Sequence, residues 1–127
     1  MANELYGITI EFDCSYTLST ILEKITTTFG FVRIPIVICT DSKSLYECLV
    51  KLGSTVEKRL MIDIMFLRES YEKRKIFEIR WIDGRDNPVD AFTKKNPNDV
   101  LLIFILINRT IVRVEIYVER TEKKKEE

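Results

Sequence analysis

Two acidic segments stand at points in the sequence where carboxylates could bind a metal ion. Asp41 ends the apolar run Ile36 to Thr40, and the segment Asp83 to Asp90 follows a second apolar run, Ile76 to Ile82. If the two runs form parallel neighbouring strands, their carboxyl ends adjoin and bring these side chains together. Carboxylate oxygens suit hard divalent cations such as Mg²⁺ or Mn²⁺. Asp41 or Ser42 has an alternative role as the cap of the helix that follows.

The composition limits the chemistry that such a site could perform. Histidine is absent, so serine-type triads, imidazole acid–base catalysis and nearly all zinc sites are excluded. The 20 basic and 20 acidic residues cancel, so any contact with nucleic acid must come from a local basic patch. A net charge of zero also favours self-association.

Cysteine usage and the absence of targeting patterns indicate an intracellular protein of the cytoplasm or nucleus. Cys14, Cys39 and Cys48 are an odd number without metal-type spacing, and their apolar surroundings predict reduced, partly buried thiols. The sequence begins without a secretory signal pattern. Its longest apolar run, Val100 to Ile107, is much shorter than the ~20 residues of a membrane helix, so no membrane partner is expected.

The order of predicted elements favours an α/β layered domain over residues 1–118, followed by a charged tail over 119–127. The strand at Ile36 to Thr40 lacks polar alternation, which predicts cover on both faces. Asp99 to Ile107 is apolar on nearly all sides, which predicts a buried helix or strand. The other predicted elements are a helix from Ala2 to Phe29 with a break at Cys14 to Thr20, helices from Ser42 to Leu52 and from Ser54 or Thr55 to Tyr71, a strand from Ile76 to Ile82, a short helix from Val89 to Lys95, and a strand from Ile111 to Val118.

Three segments become recognisable when they are taken together. They run from Thr40 to Glu47, from Lys58 to Ile64 and from Trp81 to Lys94. The first contains Thr-Asp-Ser at a strand end, and the third contains Asn-Pro-Val-Asp-Ala-Phe-Thr-Lys. This pattern resembles the ribonuclease H domain of copia-like retrotransposon polyproteins, whose last helix carries a Leu/Pro-x-Asp-x-x-Thr-Lys-type motif. The resemblance extends from about Glu4 to about Ile107.

The resemblance implies an endonuclease that cuts the RNA strand of an RNA–DNA hybrid. The family uses four carboxylates to hold two cations ~4 Å apart, one to activate water and one to stabilise the leaving oxygen. Carried over by motif, Glu4 corresponds to the carboxylate of the first helix, Asp41 to that of the fourth strand and Asp90 to that of the last helix. Glu4 has an alternative role as a first-turn acid, and Asp90 as a solvated helix residue.

The chain departs from the family pattern at its start. The family's first three strands, with the first-strand Asp, have no counterpart before Glu4, so the expected fold is a partial, ribonuclease H-like α/β domain. It would have two parallel strands flanked by helices and a possible C-terminal strand. Three carboxylates predict weak binding of Mg²⁺ or Mn²⁺, if any, and impaired activity. The unpaired strand edge predicts self-association or complementation.

Polar residues around the carboxylates give a second functional hypothesis, a non-catalytic module that binds nucleic acid or protein. Candidate contacts to RNA–DNA hybrid or other nucleic acid are Ser42, Lys43, Arg85, Asn87 and Lys94. With zero net charge, a solvated face is an equally good reading of the basic residues. An integrase-type nuclease of the same superfamily is a third possibility, which the Asn-Pro-x-Asp-Ala-x-Thr-Lys motif argues against.

Overall fold

The structure, a computed structural model, describes residues 2–51, 58–113 and 115–117. The predicted helix start at Ser54 or Thr55 and the charged tail lie outside these residues. The described helices and strands are α1 (Ala2–Thr28), β1 (Val37–Thr40), α2 (Lys43–Val50), α3 (Lys58–Glu72), β2 (Glu78–Ile82), a 3₁₀ turn (Gly84–Asp86), α4 (Asp90–Thr93), α5 (Val100–Ile107) and β3 (Glu115–Ile116).

Helix α1 is continuous over 27 residues, so the break predicted at Cys14 to Thr20 was wrong. The hydroxyl groups of Thr17 and Thr20 donate to the carbonyl oxygens of Asp13 and Tyr16, four residues earlier. These hydroxyls therefore bond within the helix instead of competing with it. The helix ends at Thr28, one residue before the predicted end at Phe29, and Gly30 just after it adopts a left-handed φ of 77°.

The sheet has the order β1-β2-β3. Strands β1 and β2 are parallel, with Val37 beside Glu78 and Thr40 beside Trp81, which confirms the predicted parallel pair. Strand β3 is antiparallel to β2 and, among the described residues of the strand predicted at Ile111 to Val118, covers Glu115–Ile116. It lies on the far side of β2, so among the described residues the outer edge of β1 has no neighbouring strand.

The core lies where α1 and α2 pack on α3 and where α2 packs on the sheet. Helix α3 repeats apolar residues at helical spacing and buries Leu60, Ile64 and Leu67, as predicted. The guanidinium of Arg68 donates to the carbonyl oxygen of Cys48, which joins α3 to the last turn of α2. The other fully buried apolar residues are Leu5, Leu45, Leu49, Ile76 and Ile79.

Two apolar segments are less buried than the sequence predicts. In β1 only Thr40 is buried, while Val37 and Cys39, which lie on one face of the strand, are exposed, so the described residues do not cover that face. Segment Asp99 to Ile107 forms a helix, α5, but none of its residues is buried. An apolar run without polar alternation becomes buried only where other elements of the chain cover it. The described residues do not cover these two segments.

The cysteines also differ from their predicted environment. Among the described residues Cys14, Cys39 and Cys48 form no disulfide. Cys48 is buried, but Cys14 and Cys39 are exposed rather than partly buried. In the described part of the chain, no helix combines the length and the hydropathy needed to span a bilayer.

Candidate functional site

The carboxyl end of β1 places Asp41 outside the helix cap that follows it. Ser42 is the N-cap of α2, because its hydroxyl oxygen accepts from the backbone N–H of Leu45 at 3.4 Å. Its own N–H donates to the hydroxyl of Thr40 at 3.1 Å. The capping role therefore falls to Ser42, and the Asp41 carboxylate is directed to other partners.

Asp41 is held by residues that follow β2. The Trp81 indole N–H donates to the Asp41 carbonyl oxygen at 3.0 Å, and the Asn87 side-chain amide donates to Asp41 Oδ2 at 3.3 Å. A Cβ atom at Gly84 would lie 3.4 Å from the same oxygen, so glycine lets the turn pass close to the carboxylate. Parallel pairing of β1 and β2 thus brings the two predicted acidic segments together.

Asp90 begins α4 and is 7% exposed, which is unusual for a carboxylate. Lys94 lies one turn later and places its Nζ 3.2 Å from Asp90 Oδ1. The Asn98 side-chain amide donates to Asp90 Oδ2 at 3.1 Å. Both carboxylate oxygens therefore have protein partners, and the solvated-residue alternative for Asp90 is wrong.

The three carboxylates carried over by motif line one cleft of about 430 Å³. Glu4 comes from the first turn of α1, Asp41 from the end of β1, and Asp90 from the start of α4. Asn87 and Lys94 line the same cleft. The structure thus gathers five of the predicted site residues, contributed by three helices or strands and one turn.

Glu11 is a lining residue that the sequence reasoning missed. It lies seven residues after Glu4, two turns along the same helix face, with Gly7 between them. This spacing could have identified it once Glu4 was a candidate. The pKa of the Glu4 carboxyl is held below its usual value, mainly by a hydrogen bond from its own backbone N–H. Glu4 therefore also behaves as a first-turn acid.

The cleft offers suitable donor chemistry for a hard cation, but not a converged set of ligands. Carboxylate and amide oxygens are the groups that Mg²⁺ and Mn²⁺ prefer. Within the described part of the chain, however, no group of three or more Asp, Glu, Cys or His side chains is arranged to hold a metal ion. The two oxygens of Asp90 would have to exchange Lys94 or Asn98 for a cation.

The proposed nucleic-acid contacts fall into two sets. Asn87 and Lys94 lie in the cleft, whereas Ser42, Lys43 and Arg85 are not among its described lining residues. Lys43 is exposed at the first position of α2. Arg85 is paired with Asp83, since its Nε and Nη2 donate to the two carboxylate oxygens at 3.0 and 2.9 Å.

Two further acidic residues after β2 have structural roles. Asp83 caps the 3₁₀ turn by accepting from the backbone N–H of Arg85 at 2.9 Å. The Arg85 guanidinium and this N–H lower the pKa of Asp83 to about 2. Asp86 is 3% exposed and accepts from the Arg113 backbone N–H at 2.9 Å, which ties the 3₁₀ turn to the segment before β3.

No similarity to a known protein assigns a role to this cleft. Comparison of the chain with protein-family models, with curated proteins and with solved structures finds no match.

Proposed function

We propose that the chain is a partial ribonuclease H-like domain of the retroelement type, whose cleft takes Mg²⁺ or Mn²⁺ weakly and an RNA–DNA hybrid through that cation. The supporting observation is that Glu4, Asp41 and Asp90 come from three separate elements and line one cleft. The matched residues supply three of the four carboxylates of the family, and we expect these three to support weaker hydrolysis than a full set of four.

The charge of the cleft favours a cation-dependent contact over a direct one. Its described lining includes four carboxylates, from Glu4, Glu11, Asp41 and Asp90, against one ammonium group, from Lys94. A phosphate approaching this surface meets net negative charge and is repelled. A bound divalent cation would cancel most of this negative charge and could polarise a phosphoryl oxygen.

The protein residues around the carboxylates act by positioning them. The Asn87 amide donates to Asp41 Oδ2 and restricts the carboxylate to the side that faces the turn after β2. Lys94 neutralises part of the charge of Asp90, which is nearly buried. Glu4 is exposed on the first turn of α1 and lines the same cleft.

The test combines binding and cleavage of a labelled RNA–DNA hybrid. We expect fluorescence anisotropy to show hybrid binding in Mg²⁺ or Mn²⁺ that is lost in EDTA. In Mn²⁺ titrations, amides around Asp41 and Asp90 should broaden in NMR spectra of the wild type but not of Asp41→Asn. Asp99→Asn is the matched control, because Asp99 is an exposed acid outside the cleft lining. Cleavage that survives Asp41→Asn would contradict the metal-site assignment.

A second candidate function is a non-catalytic binding module that retains the fold. This candidate is favoured by the contacts of Asp90. Its two carboxylate oxygens already contact Lys94 and Asn98, so Asp90 can stabilise the fold without binding a metal ion. In that case Asp90→Ala would lower stability by about 1 to 3 kcal/mol, since it removes a nearly buried carboxylate together with its hydrogen bond from the Asn98 amide and its ion pair with Lys94. Hybrid binding unchanged by EDTA, with no cleavage by wild type or variant, would support this candidate.

We also propose an intracellular location, in the cytoplasm or nucleus. The support is that Cys14 and Cys39 are exposed thiols that form no disulfide among the described residues. Exposed thiols persist in reducing compartments and are oxidised in secretory ones. Fractionation of cells that express a tagged chain would test this location, and recovery in the secreted fraction would contradict it.

A further inference from the structure

The C-terminal half of α1 carries an apolar stripe that points away from the core. Cys14, Leu18, Ile21 and Ile25 are spaced by four, three and four residues, which is the a/d spacing of a coiled coil. All four are exposed, and Leu18, Ile21 and Ile25 expose 58%, 52% and 53% of their surface. The buried residues of the same helix, Leu5, Ile8, Phe12 and Ser19, follow a different face.

The surface of the stripe also contains a groove of the kind that receives a side chain in coiled-coil packing. Cys14, Thr17, Leu18 and Ile21 line a shallow groove of about 410 Å³ together with Asp13. Residues at i, i+3, i+4 and i+7 form the hole that receives one side chain from a facing helix. A neighbouring face, lined by Thr20, Glu23, Lys24, Thr27 and Thr28, is polar and offers no apolar counterpart.

We propose that this stripe is a homodimer interface in which α1 of one copy packs antiparallel on α1 of a second copy. In that register Leu18 of one copy faces Ile21 of the other, and Cys14 faces Ile25, which gives four apolar layers related by a two-fold axis. Because the stripe is complementary to itself, a second copy is enough to cover its apolar side chains. The zero net charge of the chain removes bulk repulsion between copies.

Charge complementarity selects the antiparallel orientation. Glu11 continues the stripe one turn before Cys14, so a parallel dimer would place the two Glu11 carboxylates opposite each other. In the antiparallel dimer Glu11 faces Thr28 of the second copy, with Lys24 of that copy one turn away. Opposed helix dipoles also favour this arrangement.

The size of the contact predicts a dimer that depends on concentration. The stripe from Cys14 to Ile25 rises about 17 Å along the helix, at 1.5 Å per residue. Four layers of this length bury less than the ~800 Å² per partner of standard stable complexes. We therefore expect monomer at low concentration and increasing dimer at high concentration in light scattering or sedimentation equilibrium.

Charge substitutions test the surface. Leu18→Glu and Ile21→Glu should each keep the helical circular dichroism of the wild type and remain monomeric, because both side chains are exposed in the monomer. Ile62→Glu is the matched control, since Ile62 is an apolar residue of α3 that is 73% exposed, and it should dimerise as the wild type does. A wild type that stays monomeric at every concentration, or a dimer unaffected by Leu18→Glu, would overturn the proposal.

Cross-linking tests the orientation. In a Cys39→Ser background, Ile25→Cys should give a disulfide-linked dimer on mild oxidation, which disappears when Cys14→Ser is added. Thr27→Cys is the control on the polar face and should not cross-link to Cys14. Efficient Cys14 to Cys14 cross-linking in the Cys39→Ser protein would instead show a parallel dimer and overturn the antiparallel register.

Discussion

The Asn87 side chain links Asp41 to the start of the segment that carries Asp90. Its amide donates to Asp41 Oδ2 at 3.3 Å, while its Oδ1 accepts from the Val89 backbone N–H at 3.0 Å. One side chain therefore fixes a carboxylate at the end of β1 and shapes the turn before α4. The two acidic segments, far apart in sequence, meet through this residue.

Substitution of Asn87 should separate these two contributions. Asn87→Ala removes both hydrogen bonds and is expected to lower the free energy of unfolding by about 1 to 2 kcal/mol. Asn87→Asp keeps an acceptor for Val89 but places a carboxylate beside Asp41. Its destabilisation should therefore shrink as salt screens the repulsion. Urea denaturation at low and high ionic strength measures both effects, and an Asn87→Asp protein as stable as wild type at low salt would contradict the Asp41 contact.

The lowered pKa of Asp83 predicts that the protein loses stability in acid. Its pKa is lowered from 3.8 to about 2, mainly by the Arg85 side chain. A depressed pKa means that the folded state binds the proton less readily than the unfolded state, so the stabilisation is complete at neutral pH. It should fall as the pH drops through the range from about 3.8 to about 2.

Arg85→Gln should return the Asp83 titration toward its ordinary range and flatten this part of the stability curve. NMR titration of the Asp83 carboxyl carbon in wild type and variant provides the measurement. High salt should reduce the difference between the two proteins, because the Arg85 side chain is exposed to solvent and its attraction to Asp83 is screened. An Asp83 midpoint unchanged by Arg85→Gln would contradict the assigned cause.

Two glycines of the N-terminal region should respond to alanine with opposite signs. A Cβ at Gly7 meets nothing within 4 Å, so Gly7→Ala is expected to stabilise α1 by about 0.5 to 1 kcal/mol. Gly30 has a φ of 77°, so Gly30→Ala should destabilise by about 1 kcal/mol or more. Thermal or urea unfolding measures both, and stabilisation by Gly30→Ala would contradict the left-handed end of the helix.

Local sequence patterns predicted the helices and strands better than they predicted which faces of those helices and strands are buried. The spacing of Leu60, Ile64 and Leu67 identified both a helix and its buried face, because that pattern is contained within one element. The run at β1 predicted a strand correctly but its cover wrongly, since cover depends on neighbours that the strand itself does not encode. The same limit explains α5, which is helical and exposed.

The same limit applies to the candidate site, where some residues could be predicted from the sequence and others could not. Asp41 and Asp90 could be chosen from motif and strand order, and the parallel pairing of β1 with β2 brings them to one cleft. Of the two partners of Asp90, Lys94 lies four residues later, a spacing that places it one helical turn away and that the predicted helix already contains. Asn98 lies eight residues later, at a position that only the path of the chain after α4 makes adjacent, so local spacing could not identify it.

Asp86 should hold the segment that leads into β3. Its carboxylate is buried and accepts from the Arg113 backbone N–H, while Arg113 Nε lies 3.4 Å from the other oxygen. Hydrogen exchange should therefore find the Arg113 amide protected, and Asp86→Ala should remove that protection and speed exchange at Ile116, which pairs with Trp81 of β2. Lys94→Ala is the control, because it removes an ion pair of the cleft without touching Asp86. Rapid exchange of the Arg113 amide in the wild type would contradict its hydrogen bond to Asp86, since a bonded amide exchanges only when that bond opens.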